Sequence, residues 1–360
     1  MNRKRKITWI VLIIIAVAIK IFSLFPSAVE QYYSAGFYPV IARLQRILLG
    51  WIPFSIGDIF YTIVAVWIIV KIISFLRKLF LKRLSRAYFL YVLQRIIFLC
   101  LWIYVVFNIS WGLNYNRLGI AHQLQLDVKP YSTTELTEIL QIIVDRLNTT
   151  DSLAHSERNQ LEDRHVLFSE AKKAYHNLNQ KNDVFTYPSP SVKPSIFSYP
   201  GDYLGFTGYY NPFSGEAQVN TTVPLSVQPF TTCHEIGHQL GYAKENEANF
   251  CGYLAAKSSD NVAFRYSTYF DLYIYAARGL FVRDSNLVKK FRDQLNPGIR
   301  KDYKELRDFF KKYKNPIDPI ISRMYGRFLK ANQQPQGLMS YDEVIAWLIA
   351  YYKKYGRDAI

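Results

Sequence analysis

Apolar positions along this chain come in two textures, and the change between them falls near residue 115. Before it, apolar residues are nearly continuous. ITWIVLIIIAVAIKIFSLF at 7–25 is broken only by Lys20, and further runs cover about 58–76 and 94–113. Each is long enough to cross a bilayer as a helix. The stretch 31–56 differs, because Pro39, Gly50 and Pro53 interrupt it and Arg43 and Arg46 lie mid-segment. It predicts an amphipathic or re-entrant helix at the outer surface rather than a fourth crossing.

After residue 115 the apolar positions become periodic. The spacing predicts amphipathic helices over 133–148 and 152–180, the first opening on a Ser132-Thr133-Thr134 cap with Glu135 behind it. From 184 to 229 the chain is rich in Pro, Gly, Tyr, Ser and Thr, with short β-prone pieces at 195–199 and 216–220. Those features predict strands and turns of a small sheet. Helical periodicity returns at 230–241, 245–258 and 262–281, around 300–313, and at 341–354. The expected class is α+β: a three-helix transmembrane region over 1–114, then a mainly helical domain over 115–360 with a small sheet ahead of the helix at 230.

Charge decides the orientation this pattern implies. The net charge of +16 suggests a nucleic-acid binder until it is mapped. Up to Arg117 there are 15 Lys/Arg against 2 Asp/Glu, and beyond it 29 against 26. Basic excess beside apolar spans marks membrane orientation, and the second part has no basic stripe interleaved with aromatics, so nucleic acid is excluded as a partner. Arg3-Lys4-Arg5-Lys6 and the cluster Arg77, Lys78, Lys82, Arg83 and Arg86 belong on the cytoplasmic side. Three crossings then place everything after Tyr115 outside the cytoplasm. No small-x-small site follows the first run, which favours an uncleaved anchor over a signal peptide. Three cysteines make no disulfide framework: Cys100 lies in an apolar run, and Cys233 and Cys251 read as buried free thiols rather than a pair.

Candidate chemistry is concentrated in PFTTCHEIGHQLGYAKENEANFCGYLA, residues 229–255. On a helix His234 and His238 project from one face and can grip one ion. Zn²⁺ suits imidazole, tolerates an open coordination position and acidifies its bound water. Glu235, one residue after the first histidine, reaches that water rather than the metal and can serve as its base. Gly241 can adopt the left-handed conformation that ends a helix, and the next helix carries Glu245 and Glu247. Two histidines with one carboxylate form a three-ligand catalytic set, whereas structural zinc sites are usually closed and cysteine-rich. On a helix Glu245 and Glu247 point roughly 200° apart, so only one of them can join the histidines.

HEIGH followed by E-N-E-A-N resembles the gluzincin pattern HExxH…ExxA(D/N) of thermolysin-like peptidases, membrane prenyl-protein peptidases and peptidases that cleave phage-type repressors. The pieces PFSIGDIFY (53–61), WGLNYNR (111–117), GYYNPFSGEAQVNT (208–221) and HQLGYAKENEANF (238–250) resemble, over nearly the whole chain, a family of bacterial inner-membrane proteins without an assigned substrate. In that family three spans precede a zincin-like domain. The resemblance implies a zinc metallopeptidase with metal ligands His234, His238 and Glu245, catalytic Glu235, and a peptide or protein substrate outside the cytoplasm. It places Asn249 where the pattern often has Asp, as a partner to a ligand histidine. A metzincin arrangement would need its third histidine at Lys244, and a protonated lysine cannot ligate. By the same likeness the strand before the histidine helix, 205–220, pairs with an extended substrate, and Tyr209 or Tyr210 is a candidate oxyanion donor, though a packing role suits either in a chain with 28 tyrosines. The competing expectation is a non-catalytic membrane sensor or scaffold braced by zinc.

Overall fold

The structure, a computed structural model, describes residues 3–81, 85–337 and 343–360. Lys82, Arg83 and the first residues of the helix expected at 341–354 lie outside them. The first apolar run is helix α1 (Arg3–Phe22), which ends just ahead of Pro26. A pre-proline residue disfavours helical backbone, so the chain turns there. It re-enters a helix, α2 (Pro26–Leu49), bent 103° from α1 and carrying a π-helical stretch at Val29–Phe37. Helix α2 covers most of the segment 31–56 expected to be re-entrant or amphipathic.

Helices α3 (Ile56–Phe80) and α4 (Arg86–Ser110) are each long and apolar enough to cross a membrane, and α1 with α2 makes a third if the bent pair is one span. Ser55 caps α3 by accepting from the Asp58 amide, and Ser85 caps α4 in the same way. Along α3 the large apolar side chains are mostly exposed, which suits a helix able to cross a membrane.

The remaining chain is built around α5 (Thr133–Glu157) and α6 (Arg164–Lys181). Ser132 and Glu135 form the complete capping box at the start of α5. The break expected after residue 148 comes later, because Thr149 and Thr150 bond back to the carbonyls of Asp145 and Arg146 and the helix runs on. Asp163 then caps α6 through the His165 amide, so the helix expected from 152 begins at 164.

A three-stranded sheet follows, of β1 (Val192–Pro194), β2 (Gly208–Asn211) and β3 (Glu216–Val219), in the order β1-β3-β2. β1 runs parallel to β3, and β2 antiparallel. The strand expected at 195–199 is displaced: pairing stops at Pro194, the Ile196 amide turns to the Asp58 carboxylate at 2.7 Å, and helix α7 (Ser198–Leu204) begins. After the sheet come α8 (Gln228–Gln239), α9 (Glu245–Lys257), α10 (Val262–Arg283), α11 (Ser285–Asp293), α12 (Pro297–Tyr313), α13 (Asp318–Ala331) and α14 (Val344–Tyr355). The main core lies between α5, α6, α9 and α10, and a second apolar cluster runs from Leu12 of α1 through Tyr38, Val105 and Trp111 to Tyr210 and Ala243. That second cluster joins the apolar helices to the residues around the histidines.

Candidate metal centre

Helix α8 is buried along its whole length, so its register is set by packing on every side. It crosses α9 at close range because small residues meet there. A Cβ on Gly237 would lie 3.2 Å from the Ala248 carbonyl oxygen, and one on Gly252 would lie 2.9 Å from the His234 backbone nitrogen and 3.0 Å from its Cα. Backbone atoms cannot rotate away as side-chain tips do. Gly252→Ala is therefore expected to cost about 1–3 kcal/mol of overpacking strain. Thermal denaturation checks this; an unchanged melting temperature would show that the two helices do not meet this closely.

Between α8 and α9 the chain reverses at Gly241, whose φ of +90° is in the left-handed region that glycine adopts freely. Side chains from the N-terminal part of the protein collect the helix-end carbonyls. Tyr38 Oη and Arg46 Nη1 donate to the Gln239 carbonyl at 2.9 and 3.2 Å, Trp111 Nε1 to that of His238 at 3.1 Å, and Arg117 Nη1 to that of Gly241 at 3.2 Å. Two buried guanidinium groups thus sit at the negative end of the helix dipole. Glu30 holds Arg117 in place through bonds of 2.6 and 2.9 Å. Arg46, which reads in sequence as a charge opposing a membrane crossing, is a buried helix cap.

The four expected site residues come together. Ligand atoms of His234, Glu235 and His238 lie within 4.8 Å of one another. Glu245, the first residue of α9, brings Oε2 to 3.3 Å from His234 Nε2 and 3.5 Å from His238 Nε2. His238 Nδ1 lies 2.8 Å from the Tyr242 carbonyl, which fixes a proton on Nδ1 and leaves Nε2 aimed at Glu245. Asn249 pairs with the His234 imidazole, the partner its place in ExxAN implies. Glu245 Oε2 has no hydrogen bond of ordinary geometry, nor has Glu235 Oε2, although both are buried. Two imidazole nitrogens and a carboxylate oxygen converge at these distances in a buried cluster, so the donor set fits a divalent metal.

Electrostatics follow from the same packing. Burial opposes charge on His238, but the Glu245 carboxylate outweighs it and holds the imidazole up to about 9. Burial likewise opposes charge on Glu245, and His238 and His234 reverse this and hold it low. For His234, burial prevails over its partners and lowers the pKa. Glu235 is pushed up to about 8 by burial, with His238 pulling against it and Glu245 adding to it.

Glu247 points elsewhere. It packs against Gly119, where φ is +83° and a Cβ would collide with the carboxylate, and it lies 3.8 Å from Lys244 Nζ. Tyr210 is buried behind the site, its hydroxyl 3.3 Å from that of Tyr38. Tyr209 lies at the cleft but bonds to Asp58 at the head of α3. Cys233 and Cys251 are buried free thiols, with Tyr175 Oη 3.4 Å from Cys251 Sγ.

Several residues had no sequence signal. Tyr325 of α13 donates to Glu245 Oε1 at 2.8 Å, and the Glu245 amide donates to Gln334 Oε1 at 2.9 Å. Asp271 of α10 carries a buried, unsatisfied Oδ2 in the wall of the same cleft, and burial pushes its carboxyl well up. The cleft, about 790 Å³, runs from His234 and Glu235 along Thr207 and Gly208. Gly208 allows β2 to approach, since a Cβ there would lie 2.7 Å from Glu235 Oε1.

Fold and site together define a mainly helical α+β protein with two or three helices able to span a membrane and a buried cluster of metal-ligating type. The chain belongs to the DUF3810 family of proteins of unknown function, whose family model matches residues 33–349. The match takes in α3, α4, the sheet and the histidine helix. No curated protein and no solved structure matches the chain.

Proposed function

We propose that this protein is a membrane-anchored zinc metallopeptidase acting outside the cytoplasm, with a zincin-like site. The observation that carries the reading is the approach of Glu245 Oε2 to Nε2 of both histidines, with Glu235 beside them at the end of a cleft. His234, His238 and Glu245 would hold Zn²⁺, a metal that suits two imidazoles and one carboxylate and leaves a position open. Bound there, zinc supplies an acidified water and polarises a carbonyl. Glu235 takes the proton at its carboxylate and returns it to the leaving amine. β2 is an edge of the sheet and lines the cleft, so its free backbone groups can pair with an extended peptide.

Purified full-length protein is expected to bind about one zinc per chain and to cut members of a mixed peptide library. A chelator should abolish the cutting and added zinc restore it. Zinc retention without any cleavage would favour a metal that only braces a sensor or scaffold.

The proposed topology has three crossings, a cytoplasmic N-terminus and an external segment from Tyr115 to Ile360, supported by Arg3–Lys6 and by the basic residues between α3 and α4. A reporter that is active only outside the cytoplasm should be active when fused after Ile360. Activity of a cytoplasm-only reporter there would overturn the three-span arrangement.

A further inference from the structure

Helix α13 is apolar on two sides. Ile321 and Tyr325 face the cleft, and Leu329 is buried. On another side Ile320, Met324 and Phe328, spaced four residues apart, form a stripe that is 56%, 66% and 43% exposed. Beside it α7 presents Tyr199 and Leu204, 61% and 48% exposed, and the two helices are tied where Asn315 Nδ2 donates to the Tyr203 carbonyl at 2.7 Å. Water-facing surfaces rarely keep so much contiguous apolar area.

The position of this face relative to the apolar helices indicates what covers it. Tyr61, one turn into α3 from the Asp58 that binds the Ile196 amide, lines the cleft together with Phe197 and Leu204. Phe213, at the tip between β2 and β3, packs on Phe60 and Tyr61 at ring distances of 5.8 and 6.4 Å. Tyr115, just past the end of α4, meets Phe328 at 6.4 Å. The patch is therefore continuous with the outer ends of both spanning helices. Arg323 and Arg327 flank the α13 stripe, as expected of a helix lying among lipid headgroups.

We propose that the outer face of α7 and α13 is a second membrane contact, seated in the interfacial layer of the bilayer that α3 and α4 cross. The contact rests on α3 and α4 being spans and needs neither zinc nor turnover. Its consequence for the peptidase reading is a cleft that opens at the membrane surface.

The test uses the full chain, alone, in nanodiscs of phosphatidylcholine and phosphatidylglycerol. With Cys100→Ser removing the exposed thiol, a fluorophore is attached through Leu204→Cys, Met324→Cys or, as a control on an exposed polar face, Lys173→Cys. Probes at 204 and 324 are expected to lose most of their emission to spin-labelled lipid and little to aqueous iodide, with the reverse at 173. Quenching of 204 and 324 by iodide alone would overturn the contact. Protection from both quenchers would also overturn it, because a second copy would then cover the face. If either variant fails to insert, Ile320→Cys reads the same stripe.

Discussion

Glu235→Gln should keep its zinc and lose hydrolysis by about 10²–10⁴-fold, the span that positioned proton transfer commonly supplies. At 1.36 kcal/mol per tenfold change, this corresponds to roughly 3–5 kcal/mol of barrier. The substitution preserves shape, which matters because Glu235 is buried and a Cβ on Gly208 would already lie 2.7 Å from its Oε1. Metal should be retained because the close approach of carboxylate to both imidazoles is made by Glu245. What disappears is a carboxyl group whose Oε2 has no protein partner. An amide can neither accept nor return that proton. Zinc analysis with turnover on a cleaved library peptide checks the pair of outcomes, and extracytoplasmic peptide ends compared between wild-type and Glu235→Gln cells check them in place. Near-normal turnover by the variant would remove Glu235 from the mechanism.

The centre of the site was legible because its chemistry is local. His234 and His238 share a face through helical spacing alone, Gly241 marks the turn, and Glu245 stands at the start of the next helix. The supports of that centre were not legible, since each crosses a long stretch of chain. Tyr38 and Arg46 cap a helix that ends near residue 239, Arg117 reaches Gly241, and Tyr325 reaches back to Glu245. No periodicity links residues so far apart. Arg46 and Arg117 stand near apolar runs, yet both are buried: they donate to helix-end carbonyls, and Arg117 also pairs with Glu30. The β-prone side chains at 195–199 suggested a strand, yet the Asp58 carboxylate takes the Ile196 amide away from any ladder. Glu216 acts in the same long-range way, accepting from the Gly57 amide at 2.7 Å and so fastening the head of α3 to the central strand.

Glu245→Ala should lose zinc while Glu247→Ala keeps it. The two carboxylates are separated by one residue on α9, so the helix turns them roughly 200° apart and only one can face the histidines. Glu245 Oε2 approaches both imidazoles, Tyr325 steadies Oε1, and Asn249, one turn further along the same face, pairs with His234. Removing Glu245 takes away one of three ligands, so affinity should fall by more than the roughly 10–100-fold that losing an outer partner costs. Glu247 looks the other way, against Gly119 and Lys244. Burial raises its pKa while Lys244 and Arg117 pull it down, a balance of structural charges away from the proposed metal. Its loss should not unfold the protein through Arg117, because Glu30 still pairs with that guanidinium at 2.6 Å. Zinc stoichiometry of both variants, each first shown to retain its helical circular dichroism and melting transition, decides the matter. Retention of metal by Glu245→Ala together with its loss from Glu247→Ala would mean that α9 presents the opposite face to the histidines.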